Sequence, residues 1–155
     1  LKNDPPKVID QKNIDISFLN LSNADIIGEW YSYDYLTDAG IGSVITYKEE
    51  NGVNKMLYQT FYKEDREYKC ERNFSINSSH VIINFPIREK RTITMEEDMF
   101  YSDLYIIECH GNISLISSSV VKYINDLNKK GYTLFGENLL ERLYFKKGTR
   151  LIIPK

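Results

Sequence analysis

Cys109 and His110 stand side by side, a thiol next to a base that could take its proton, and they are the natural first candidates for nucleophilic chemistry in this chain. Neighbouring residues on a strand face opposite ways, however, so the pair is badly placed to share a proton. Cys109 reads as a buried thiol and His110 as a structural histidine. His80, His110, Cys70 and Cys109 are the only histidines and cysteines, and their spacing is not that of a zinc site, so no metal is expected. There is no glycine-rich phosphate cradle and no nucleophile elbow, and the carboxylate run Glu96-Glu97-Asp98 reads as a solvated hairpin tip. The residues point to binding, with no catalysis and no cofactor.

The elements that would position a binding site follow from the whole chain. Its 155 residues suit one domain with a sizeable core. A formal net charge of -2, with both signs mixed along the chain, excludes the basic field that nucleic acid or an anionic membrane selects. The longest apolar runs are strand-sized, so no transmembrane segment is expected. The start, Leu1-Lys2-Asn3-Asp4-Pro5-Pro6, reads as processed or trimmed. Asn20, Asn73, Asn77 and Asn112 each begin an Asn-x-Ser match, which an Asn-rich chain also produces by chance.

Residues 1–25 are polar and Pro-punctuated, an N-terminal arm ending in a helical turn near Ser22-Asn23-Ala24-Asp25. From Ile26 to Cys109 the chain is rich in Tyr, Ile, Val, Thr and Phe, in short runs separated by turn chemistry such as Asp38-Ala39-Gly40 and Glu50-Asn51-Gly52. Strands are expected at 27–37, 41–49, 55–63, 67–74, 80–85, 90–95 and 100–109. A meander without covering helices closes on itself or leaves long exposed edges, and closure is the usual outcome. One helix is predicted at 118–130: Ser117-Ser118-Ser119 can cap it, Val120, Val121, Ile124 and Leu127 recur at helical spacing, and Gly131 can end it. A further strand is expected at 139–145, so the fold class is all-β, a closed up-and-down antiparallel barrel of about eight strands with the helix packed outside. The barrel domain spans 26–155.

Gly28-Glu29-Trp30 opens this meander, the glycine letting the backbone pass close beneath the first strand and the indole closing the bottom of the barrel. With the late helix and final strand, it resembles the lipocalin family, including the small microbial and apicomplexan-parasite types. Fatty-acid-binding proteins share a Gly-x-Trp in a closed meander, but their helices come after the first strand. The family usually sets an arginine after the last barrel strand to stack on the tryptophan. His110 stands there in this chain and carries charge only below its pKa. Gly28, Trp30 and His110 are thus the expected floor. No cysteine follows Cys109, so the family's usual bridge to the C-terminal tail cannot form, and Cys70 has only Cys109 as a partner.

The period of two on the first strand turns Trp30, Ser32, Asp34 and Leu36 inward and Tyr31, Tyr33 and Tyr35 outward, where the helix or a subunit interface would cover them. An inward Asp34 must be hydrated, paired or used for binding. Tyr47, Tyr58 and Phe61 are the other candidate lining residues. The resemblance implies transport of a small hydrophobic ligand (a lipid, fatty acid, sterol or tetrapyrrole) and a secreted or vacuolar protein, within a parasitophorous vacuole for the apicomplexan type. The alternative is a structural or protein-interaction barrel that forms a homo-oligomer and stores no ligand. A third reading, an isomerase or de-epoxidase on the same scaffold, requires a reactive side chain inside the cavity.

Overall fold

The computed structural model describes residues 16–20, 22–38, 40–63, 65–77, 80–84, 104–109, 111–134 and 137–151. In chain order the elements are β1 (Ile16–Phe18), α1 (Asn23–Ile26), β2 (Gly28–Ser32), α2 (Tyr33–Thr37), β3 (Gly42–Glu50), β4 (Val53–Tyr62), β5 (Asp65–Asn77), β6 (His80–Asn84), β7 (Leu104–Cys109), β8 (Asn112–Ser117), α3 (Ser118–Lys129), α4 (Glu137–Leu140) and β9 (Tyr144–Lys146).

Neighbours from β2 to β9 pair antiparallel in chain order, and β9 pairs back onto β2, closing an eight-stranded barrel. β1 lies outside this ring, beside the part of β7 that β6 does not reach. Followed from strand to strand by these registers, the ladder returns to β2 about ten residues from its start. For eight strands that stagger means a tilt of roughly 40°, and it leaves an interior that large side chains can fill. The β3–β4 hairpin is fixed locally: Glu50 pairs with Val53, and Asn51 and Gly52 both have positive φ (53° and 77°), as a two-residue type I′ turn requires.

Two apolar cores result. Inside the barrel pack Trp30, Ile45, Tyr47, Met56, Tyr58 and Phe74, closed by residues of β6 to β9 such as Val81, Ile106 and Leu115. The second core lies between the outer face of β7 to β9 and the helices: Tyr105, Ile107, Cys109, Ile116 and Phe145 meet Val121 and Ile124 of α3 and Leu139, Leu140 and Leu143 around α4. Each aliphatic side chain buried this way contributes roughly 1.5–3 kcal/mol before its entropy cost. α3 occupies the predicted span, and Ser117 caps it by accepting from the N–H of Val120 at 3.2 Å. No helix among the described residues is long and apolar enough to cross a membrane.

Several expectations need correction. The strand predicted at 27–37 stops at Ser32, whose hydroxyl accepts from the N–H of Tyr35 (3.2 Å) and starts the helical turn α2. A serine cap with Asp34 in the first turn outweighs the β-propensity of the tyrosines. At 139–145 the leucines take helical spacing in α4, and the strand begins only at Tyr144. β8 falls between the strand expected at 100–109 and the helix predicted at 118–130, where no strand was expected; its pairing with β7 fixes it, not a strong local pattern. The expected strand at 90–95 lies outside the described residues. The arm expected at 1–25 contributes β1 and α1 to the domain from Ile16 onward, and α1 carries a capping box of Ser22 and Asp25.

Candidate functional site

The inward positions of the strands sort by height. Toward the end where β2 begins they are large and packed. Toward the opposite end the last inward positions of β2, β3, β4 and β8 are Ser32, Ser43, Thr60 and Ser117. These short hydroxyl side chains leave a cavity of about 390 Å³, open at that end of the barrel. Tyr58 and Tyr144 line it along with the hydroxyls, and Leu104, Leu143 and Val120 supply apolar wall. Asp34, Glu141 and Arg142, all exposed, carry the charge at its edge.

The hydroxyls are ordered by hydrogen bonds. Ser43 Oγ and the Tyr144 hydroxyl are 2.7 Å apart in a buried pair, and Tyr58 is a second partner of Tyr144. Ser32 Oγ accepts from the N–H groups of Tyr35 and Ser43, tying α2 to β3. That junction requires glycine at 42, because Gly42 has φ +114° and a Cβ there would stand 2.6 Å from Ser32 Oγ. Burial pushes the Tyr144 phenol above its ordinary range, and its bonds to Ser43 and Tyr58 only partly offset this. Burial, and next Tyr144, push Tyr47 far higher. Both are therefore neutral hydroxyls at neutral pH.

The opposite end is sealed. Trp30 is fully buried and its Nε1 donates to the carbonyl of Ile26 at 2.8 Å, which anchors the indole to the end of α1. Among the described residues the cation over the ring is Lys146 of β9: its Nζ lies 5.7 Å from the ring centroid and donates to the Asp25 carbonyl at 2.6 Å. Gly28 has φ +127°, and a Cβ there would touch Lys146 Cε at 3.4 Å, so the lysine stem crosses where the side chain is missing. Outside this floor is a groove of about 490 Å³ that includes Lys146, Lys147 and Arg150. Lys146 is held by the Asp25 carbonyl and Lys147 by Glu29 at 3.2 Å, so two of its cations already belong to the floor.

Of the residues expected to line the site, Ser32 and Tyr58 face the cavity, and Asp34 reaches its edge from α2 as an exposed carboxylate, not from inside the barrel. Trp30 and Tyr47 point inward but are packed below the cavity. Leu36 and Phe61 do not line it. Leu36 packs against the outer core, and Phe61, beyond a register shift after Thr60, lies against Tyr35 at 5.4 Å. Tyr35 in turn stacks edge-on with Tyr31 (4.7 Å), so these outward tyrosines cover one another, while Tyr33 packs on the outer core near α3. His110 lies outside the described residues.

Cys109 is a buried thiol facing the outer core. Cys70 pairs with Tyr58 on β5, and its side chain lies outside the described residues. Crossing from Cys70 over β6 by the registers arrives on the order of 30 Å along the strand direction from Cys109, against a Cα limit of about 7 Å for a bridge. The bridge between them is therefore not formed. Among the described residues no three His, Cys, Asp or Glu side chains group as metal ligands. The sequence reading missed Ser43, Thr60, Ser117, Tyr144 and Lys146. Each is ordinary by type, and register is what gathers them. Comparison with protein-family models, with curated proteins and with solved structures finds no match for this chain.

Proposed function

We propose that this protein is a lipocalin-like barrel that binds a small, mostly apolar molecule bearing a hydrogen-bonding group, at the end of the barrel opposite Trp30. The observation that carries the reading is the cavity of about 390 Å³. Its apolar wall gives affinity by burial, and the Ser43, Tyr58 and Tyr144 hydroxyls on its floor give orientation. That volume is near the low end for ligand pockets and favours a compact lipid or sterol-sized molecule over a tetrapyrrole. The same reading carries delivery through a secretory route to an extracellular or vacuolar space. Of the four Asn-x-Ser sites, Asn112 is buried and inaccessible to a glycosyltransferase once folded.

One observation favours the rival, a structural or interaction barrel forming a homo-oligomer: the interior between the floor and the cavity is filled by the protein's own side chains, Trp30, Tyr47, Met56 and Phe74 among them. An isomerase-type reading has less support, because Cys109 faces the outer core and not the cavity. Native mass spectrometry of gently purified protein separates these readings by reporting bound ligand and subunit number together. A carrier retains or takes up a ligand that the Thr60→Trp variant, with the cavity filled, cannot hold. A ligand-free oligomer that takes up no lipid probe would overturn the carrier reading.

A further inference from the structure

Ser43 is 6 % exposed, lines the cavity and, among the described residues, makes one side-chain hydrogen bond, to the Tyr144 hydroxyl at 2.7 Å. A hydroxyl can give a proton and also receive on its lone pairs, so this bond leaves much of the capacity of Ser43 unused at the cavity wall. The bond also has no fixed direction. Among the described residues no backbone N–H engages either oxygen to dictate which one donates, and each O–H turns about its C–O bond without moving a heavy atom. When Tyr144 donates, the Ser43 proton is released to the cavity. When Ser43 donates, its lone pairs are released and the Tyr144 proton goes to Tyr58, its second partner.

Two further cavity serines lack this freedom. Ser32 Oγ accepts from the N–H groups of Tyr35 and Ser43, at 3.2 and 3.1 Å, which uses its lone pairs and leaves only its proton. Ser117 Oγ accepts from the N–H of Val120 at 3.2 Å and lies 3.0 Å from Ser119 Oγ. Both serve the helices they start, whereas the bond between Ser43 and Tyr144 joins side chain to side chain.

Resting on the binding reading above, we propose that Ser43 and Tyr144 form a reversible polar anchor. The cavity then selects ligands for the position of one hydrogen-bonding group on an apolar body, and not for whether that group donates or accepts. A carbonyl oxygen takes the Ser43 proton while Tyr144 donates to Ser43. A ligand N–H or O–H donates to Ser43 while Ser43 donates to Tyr144. In both states each proton of the pair has an acceptor, and each bond polarises the next. Ser43 touches the ligand, and Tyr144 is a positioning residue that lets Ser43 act in either sense. Without the phenol oxygen, Ser43 still donates to a carbonyl, but on accepting from a ligand it keeps a buried proton that has lost its acceptor.

Calorimetric titration of the full chain with indole, indanone and indene tests this. The three share one fused bicyclic frame, small for a cavity of about 390 Å³. The indole N–H only donates, the indanone carbonyl only accepts, and indene does neither. In the native protein indole and indanone are expected to bind within about threefold of each other, and each about three- to tenfold more tightly than indene. Ser43→Ala is expected to bring all three within about twofold. Tyr144→Phe is expected to keep most of the advantage of indanone and lose that of indole, a split that a general loosening of the barrel would not produce. An advantage for only one of the two in the native protein, equal binding of indene, or an equal loss for both in Tyr144→Phe overturns the inference and leaves the binding reading standing. So does a full advantage kept by both in Ser43→Ala. If none of the three binds the native protein, the binding reading itself falls.

Discussion

Replacing Lys146 by Met keeps the stem that crosses Gly28 and removes only the charge, so it isolates what the ammonium does for the barrel floor. Two contacts disappear: the bond from Nζ to the Asp25 carbonyl at 2.6 Å and the approach to the Trp30 ring at 5.7 Å. Lys146 is half-buried, so the first is a partly solvated hydrogen bond and the second a cation–π contact near the outer limit of its range. Together they predict a loss of about 1–2 kcal/mol. Trp30→Leu removes the aromatic ring, breaks the bond to Ile26 and leaves a hole where the indole was fully buried, predicting about 3–4 kcal/mol, or roughly 8–12 °C in Tm for a domain of this size. Only the ring contact is shared, so the double variant should fall short of additivity by about 0.5–1 kcal/mol. Urea unfolding followed by far-ultraviolet circular dichroism, which does not depend on the lost tryptophan, measures all four corners of the cycle. A coupling below about 0.3 kcal/mol, the usual error of additivity, refutes Lys146 as the cation of the floor.

The glycines give a ranked prediction. Gly42→Ala should be the most damaging, because its Cβ would meet Ser32 Oγ at 2.6 Å and the Tyr35 nitrogen at 2.9 Å at φ +114°, whereas Gly28→Ala meets only the flexible Lys146 stem and Gly52→Ala meets nothing. Strain alone sets about 1–3 kcal/mol at the first two and about 1 kcal/mol at Gly52, so thermal melts of the three variants should order them that way. Ser117→Ala removes the cap of α3 and should cost about 1 kcal/mol, read as a Tm lower by about 2–4 °C. The Asp25 carboxyl is held below its ordinary range, chiefly by the backbone N–H of Ser22 and then by its hydroxyl. That contribution is fully present above the ordinary Asp value near 4 and is lost as pH falls through the folded value. Asp25→Asn should therefore flatten the fall in urea midpoint below about pH 4 and leave its slope above pH 5 unchanged.

Much of the fold was legible where short-range chemistry decides it. The inward face of Trp30 and Ser32, the capped turn at Ser22-Asp25, the Asn51-Gly52 hairpin and the span of α3 all follow from residues a few positions apart. The site was less legible. Asp34 and Leu36 were expected on a strand that ends at Ser32, because alternation cannot register that a serine hydroxyl has found the N–H of Tyr35. Phe61 was expected inside together with Tyr58, but the two stand three positions apart on β4, so alternation turns Phe61 out once Tyr58 faces in, and only the pairing of β3 with β4 decides which of them does.

The sequence by itself determined an all-β meander with a late amphipathic helix, since propensity, turn chemistry and apolar period are local properties that survive without partners. Only the closed barrel decided which residues share its two ends. β9 fits between β2 and β8, and that pairing brings Lys146 over Trp30 at the floor and Tyr144 beside Ser43 at the cavity. Both contacts join the last strand to the first two, and a ring's closure is a property of all eight registers at once, which no window of the chain contains.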